Sequence, residues 1–318
     1  MLRYFATFRD KAKRKIDNVL TARISADANV PADELVITVP YSKDYERCEK
    51  IEAYDGEMLV FCGQADEVAV IVSSGGAIVK ITARSLAAGL LDNEAEPVTY
   101  KNPSAEFIFE RHLKPFGIKT FDGDTQPFYG ELKIEKGMSH WQVLEKFCKL
   151  RYGKTPVITG AGTALMRGKR ILPRTITFGR GGIECLSARK KIRPYTLLSE
   201  VRLKLEKYGG YKSVLKNNNV SNTVTRVRYV NAFDDNGAVK TADRMIENGN
   251  KNCLEITLKC PVCLCDVIMG KAEIKDDIFG TGENMIIKST EYVLDKNGEN
   301  TTVVLGKENG DVADELHN

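Results

Sequence analysis

The chain has 318 residues, 42% hydrophobic and 28% charged, a composition that can fill a packed core and excludes a disordered or collagen-like polymer. At this length two or more compact units are expected, since single cores stop growing at about 250–300 residues. The 47 basic and 43 acidic residues leave a formal charge of +4, too mild to force a nucleic-acid partner. No run is apolar enough for a membrane helix, and the opening MLRYFATFRDKAKRK is too charged for a secretory leader. Synthesis in the cytoplasm is therefore expected, with the eight cysteines as reduced, mostly buried thiols.

Residues 1–25 read as a solvated strand-loop-strand edge carrying Arg9, Lys11, Lys13, Arg14 and Lys15. Glu34–Val39 is a strand stopped by Pro40, and residues 49–62 form a strand pair about the Asp55-Gly56 turn. Leu59 and Phe61, then Val68, Val70 and Val72, alternate up to Ser-Ser-Gly-Gly. A second alternating run follows through Ile78 and Lys80, so this stretch predicts a β-hairpin with one buried face. From Ala83 the spacing turns helical through Leu86, Ala87, Leu90 and Leu91. The first hundred residues thus read as a small antiparallel barrel or sandwich with a helix attached.

Pro97, Asn102 and Pro103 mark a break. A helix capped by Ser104 is predicted over SAEFIFERHLKPFG, with Phe107, Ile108, Leu113 and Phe116 on its apolar side; His112 reads as a packing or surface residue. A second helix is expected from the Ser139 cap to the Gly153 stop, with Trp141, Leu144, Cys148 and Tyr152 on one face. His140 and Trp141 invite a pocket reading, but aromatics at this spacing read as core. Gly160 and Gly162 begin like a dinucleotide turn. No third glycine or following helix completes it, and Arg170 stands where a phosphate loop needs Ser or Thr. Strand, glycine turn, strand is the expectation there.

Residues 183–216 mix basic and acidic groups with Leu197, Leu198, Val201, Leu203 and Leu205, part strand and part helix, with Gly209-Gly210 as a turn. They present a solvated face, or a basic surface that faces an acidic partner or lines a channel. Asn217–Asn219 read as a polar linker. Strands then follow through Val224, Val227 and Tyr229, a turn at Asp234-Asp235-Asn236-Gly237, and a short helix near Ala242–Glu247. CLEITLKC, CLCDVIMGKAEI, NMIIKSTEYVL and NTTVVLG read as four more strands, the last two joined at Asp295–Gly298, with a frayed acidic tail from Lys307. Two β units suggest duplication, yet no residue-level repeat is visible.

DELVITVP, EMLVFCGQADEV, ITARSLAAGLLDNEA, FGI and GMSHWQVLEKFCKLRYG stand in this order over the first half of the chain. In that order they resemble the baseplate hub proteins of contractile-tailed phages and phage-derived bacteriocin particles, the late-control tail-protein family. The resemblance implies an α+β, mainly β fold with two antiparallel tail-tube-like β-barrel domains and an intervening mixed α/β region. The breaks in the residue pattern place the expected divisions at a first barrel over 1–100, a mixed middle region over 101–216, a second barrel over 217–306 and a flexible acidic tail over 307–318. The resemblance implies a structural role without catalysis. The family's protein is a homotrimer whose ring joins the sixfold tail tube to the threefold central spike. Tape-measure and baseplate wedge proteins are further partners, with no membrane and no sequence-specific nucleic acid. The destination implied is a phage tail or phage-tail-like particle.

Two other readings compete. Cys253, Cys260, Cys263 and Cys265 include a Cys-Pro-Val-Cys knuckle, which makes them candidate zinc ligands of a metal-stabilised interaction module. Against this, no second pair stands at normal spacing, no His is near, and free Cys is a common buried strand residue. The resemblance implies no metal, and no cofactor is expected. A tail-associated cell-wall hydrolase would need paired carboxylates; Glu106, Glu110 and Glu145 lie on predicted helices with nothing in sequence to pair them.

Overall fold

A computed structural model describes residues 1–205, 209–221, 225–231, 235–277 and 279–307, and the chain folds as two compact units. The first comprises Met1–Arg174, Lys259–Gly270 and Ile287–Val303; the rest form the second.

The first unit is led by seven strands: β1 (Arg3–Phe8), β2 (Lys13–Ile16), β3 (Thr21–Asp27), β4 (Glu34–Pro40), β5 (Cys48–Asp55), β6 (Met58–Ser73) and β7 (Gly76–Ser85). Period-two patterning sends Leu35, Ile37 and Val39 of β4 fully inward, where they meet Tyr4, Ile51, Phe61, Val79 and Ile81. The strand β7 runs on to Ser85, so Ala83 is a buried strand residue and not the start of a helix. Pairing on both sides, with β4 and β6, holds that segment extended against its helical spacing. Helix α1 is accordingly shorter, Ala87–Asp92.

The chain then makes β8 (Thr99–Lys101), helix α2 (Ala105–Ile108), β9 (Thr120–Phe121), β10 (Glu131–Lys133), helix α3 (His140–Tyr152), β11 (Val157–Ile158) and β12 (Thr163–Leu165). The Ser104 hydroxyl accepts from the Phe107 amide at 3.1 Å, as the cap predicts. A π-turn over Phe109–Leu113 follows α2 and rotates its apolar side, so Phe109 is buried where Phe107 was expected. α3 carries a full capping box between Ser139 and Gln142 and ends on Gly153 at φ 65°. Its Trp141, Leu144, Phe147 and Cys148 join Leu90, Ile108 and Leu113 in a second core, so Trp141 is packing.

The second unit contains β13 (Ile176–Gly179), β14 (Ser187–Ile192), β15 (Glu200–Lys204), β16 (Ser213–Lys216), β17 (Val227–Asn231) and helix α4 (Asp235–Cys253). Strand β18 (Leu254–Cys260) follows, then β19 (Lys271–Asp276). A turn and short helix were expected where α4 runs for 19 residues. Asp-Asn-Gly disfavours helix locally. Packing of Ala238, Ala242, Met245 and Ile246 on Val201, Leu203 and Val230 outweighs that preference. Asn217, read as linker, is instead buried, donating to Leu198 O at 2.9 Å and Asn250 Oδ1 at 2.8 Å. The strand expected from Cys263 begins only at Lys271, and positive φ at Asp266 and Met269 marks the irregular approach. Val224, Asp234 and the tail beyond Lys307 lie outside the described residues.

The long strands β20 (Gly280–Asp295) and β21 (Gly298–Lys307) contribute residues to both units. In the first, Ala22–Asp27 of β3 pairs antiparallel with Ser289–Leu294. The strand order runs β2-β1-β5-β6-β7-β4-β3-β20-β21 and on from β21 to β18 and β14. No pairing of β2 with β14 closes it into a barrel among the described residues.

Candidate interaction surface

The strand β5 stops pairing with β6 at Lys50–Gln64, while β6 continues to Ser73. Beyond Gln64, β6 is therefore laddered to β7 alone among the described strands. A bulge between Ala65 and Glu67 resets the register, after which Val68 faces Ile81, Val70 faces Val79 and Val72 faces Ala77. Arg84 anchors the base, its Nη2 2.7 Å from Asp92 Oδ2 and its Nε bonded to Asp66. The Arg84 guanidinium holds the Asp92 carboxyl below its ordinary range.

The outer end of this hairpin is apolar and uncovered: Val70 is 44%, Ile71 44% and Val72 77% exposed. Consecutive side chains of a strand point to opposite faces, so both faces of the arm show branched aliphatics to solvent. An open strand edge bearing such residues is a template for pairing with another chain, which soluble monomers ordinarily blunt with charge. The sequence foresees this hairpin but assigns it one buried face.

The basic residues near the N-terminus are matched by acids. Lys11 Nζ lies 2.7 Å from Glu49, Arg14 Nη2 2.7 Å from Asp10 and Lys15 Nζ 2.8 Å from Asp17, while Lys13 pairs with Glu52. The cations on edge strand β2 are thus spent locally, which agrees with a solvated edge.

Cys253 ends α4 and Cys260 ends β18, while Cys263 and Cys265 lie in the irregular segment that follows. The Cys265 thiol donates to the Cys263 sulfur, which lowers the Cys263 thiol below its usual value and raises that of buried Cys265. Among the described residues no three His, Cys, Asp or Glu side chains come together as a metal site would require. Glu110 and Glu145 form i,i+4 ion pairs with Lys114 (2.7 Å) and Lys149 (2.9 Å), and Glu106 is exposed on α2. Gly160 owes its identity to packing: a Cβ there would stand 2.6 Å from Val60 O.

Asp33 escapes sequence reasoning, and His112, read as packing or surface, is packing with partners that the sequence does not name. The Asp33 carboxyl is enclosed, and burial, then Asp266 and Asp27, push it well above the carboxylate range. His112 is buried, its Nδ1 3.0 Å from His140 Nδ1 and its Nε2 3.2 Å from the Tyr100 hydroxyl, which accepts from Arg111 Nε at 2.7 Å. One tautomer arrangement satisfies the whole chain: Tyr100 donates to His112, and His112 Nδ1–H donates to a neutral His140. Burial, with His140 and Arg111 adding, lowers His112 to about 4. No local signal announces either environment: His112 meets Tyr100 and His140 from 12 and 28 residues away, and Asp266 stands beside Asp33 only in the fold.

No protein-family profile matches this sequence, and neither does any curated protein. Solved structures do match along nearly the whole chain. A tail protein from Neisseria meningitidis MC58 has a TM-score of 0.77 at 16% identity, covering 96% of this chain and 97% of its own. The 43 kDa tail protein of prophage MuSo2 from Shewanella oneidensis has 0.75 at 16% identity, covering 95% and 97%. An Escherichia coli component of the type VI secretion system, itself similar in structure to T4 bacteriophage tail proteins, has 0.52 at 10% identity, covering 91% and 73%. At these identities the likeness is one of fold.

Proposed function

We propose that this chain is a structural component of a phage tail or phage-tail-like injection particle, and within it the baseplate hub. In this reading three copies form a ring that joins the sixfold tail tube to the threefold central spike, with no catalytic step. Tape-measure and wedge proteins are its further neighbours. It is made in the bacterial cytoplasm and assembled into the particle. The observation that carries the reading is the end-to-end likeness to tail proteins, with 96% of this chain and 97% of the Neisseria protein superposed. The unpaired edge of β2 supports it, because a ring of tube-like domains can complete each subunit's sheet with a neighbour's strand. The hairpin arm, with Val70, Ile71 and Val72 uncovered, supplies the apolar contact that an obligate interface needs.

Native mass spectrometry of the purified chain, before and after chelation, tests this. A trimer that persists in chelator is the expected result. A monomer holding one zinc and unfolding when it is stripped would replace the hub by a zinc-stabilised module, since structural metal binding is folding free energy. Clearing of peptidoglycan by the purified chain would replace it by a hydrolase.

A further inference from the structure

The second unit carries a surface that the hub reading leaves unused. Strands β16, β15 and β17 form a three-stranded sheet, with β15 central, antiparallel to β16 and parallel to β17. Val201 and Leu203 point to α4. Their neighbours Glu200, Arg202 and Lys204 therefore point away from it. Register places Val214 and Tyr229 on either side of Arg202, and Lys216 beside Glu200.

The outer face is thus basic and aromatic together. Tyr229 is 59% exposed, and Tyr211, 41% exposed, meets it edge-on with ring centroids 5.1 Å apart. Arg202, Lys204 and Lys216 supply three cations on one side of the sheet. Among the described residues Glu200 is the acid on that face, and it accepts from Arg202 Nε at 2.8 Å. A purely electrostatic patch would have no use for two exposed tyrosines. An apolar docking face would not be built around three cations.

We infer that this face binds single-stranded nucleic acid without sequence preference, the cations tracking phosphates and the exposed tyrosine rings stacking bases. Aromatic residues set among cations on an open sheet face are how strands of any sequence are held, because every base has a π-face. With Lys204 and Lys216 engaging phosphates and Arg202 held by Glu200, the logarithm of affinity should fall against the logarithm of salt with a slope of about −1.4. The inference does not depend on the hub reading, since binding is read on the chain itself whatever its oligomeric state.

The test is fluorescence anisotropy of a labelled oligothymidylate of about 20 nucleotides, longer than a typical single-strand site, with the full chain from low to moderate salt. The expected result is saturable binding with that salt slope. Tyr229→Ala should weaken it roughly 5- to 150-fold at unchanged slope, the range of one stacked base. Lys216→Glu should flatten the slope and weaken binding of every sequence alike; its exposure on the edge strand keeps the fold out of the result, and circular dichroism checks both variants. The inference fails if no binding occurs at about 50 mM salt, where phosphate contacts are strong. It fails equally if Tyr229→Ala binds as well as the parent, or if duplex DNA of the same length binds as tightly. Polyglutamate that displaces the oligonucleotide at equal charge would overturn it in favour of an acidic protein partner.

Discussion

Asp33 sits with its carboxyl enclosed beneath the end of β7, its amide donating to Ser85 Oγ at 3.0 Å and its carbonyl accepting from the Ser85 amide at 2.8 Å. Its folded value is raised, so between about 4 and that raised value the unfolded chain has lost a proton that the folded chain keeps. Stability is then fullest at the acid end of this window and falls as pH rises. His112 acts in the other direction. Its folded value of about 4 lies below the ordinary 6.5, so its contribution is full above about 6.5 and is lost as pH falls toward 4, by up to about 3 kcal/mol. Urea midpoints read through Trp141, the single tryptophan, separate the two. Asp33→Asn should remove the decline on the alkaline side and leave the acid limb in place. His112→Asn should flatten the limb between about pH 6.5 and 4. Parallel pH profiles for Asp33→Asn and the parent would mean that Asp33 ionises freely in the folded protein.

Helix α3 shows what sequence can carry at the scale of an element. Its start is written in Ser139 and Gln142 and its stop in Gly153, all local signals, and the structure returns His140–Tyr152 between them. Ser139→Ala should therefore cost about 1 kcal/mol, read as an earlier Trp141 unfolding midpoint with the m-value unchanged. No change would mean that the helix end is held by its packing alone. The glycine pair at Gly160 and Gly162 was legible as a turn, while the reason for Gly160 was not, because Val60 lies far earlier in the chain. Gly160→Ala should destabilise by more than the cap does, since the obstacle 2.6 Å away is backbone oxygen rather than a movable side chain. Helix α4 was mostly illegible. Asp235-Asn236-Gly237 carries a turn signature, and the contacts that overrule it come from β15 and β17, while an added Cβ at Gly249 would stand 2.6 Å from Thr196 O in the turn before β15. Asn217 misled for the same reason: a polar side chain reads as linker until its buried partner Asn250 is known.

At the scale of the molecule, alternation finds strands, but period two cannot say whether a face will be covered by its own chain or by another. That is why Val70 and Val72 were read as half of a buried surface, although β5 ends too soon to cover β6 beyond Gln64. The arm provides the corresponding test. Ile71→Asp and Val72→Asp together place charge on both faces of the hairpin tip, where neither side chain is buried in the chain itself. Exposed substitutions away from caps and cores usually change stability by no more than about 0.5 kcal/mol. The monomer should therefore unfold at nearly the parent midpoint, and circular dichroism should be unchanged. If the arm is an interface, two carboxylates must then be buried without partners at each copy, a cost of several kcal/mol per contact that multiplies around a ring. The expected result in sedimentation velocity is a single monomeric species where the parent associates. An unaltered assembly would remove the hairpin from the interface and leave the open edges of the sheet as the place where copies meet. A lowered unfolding midpoint would show that the tip packs within its own chain.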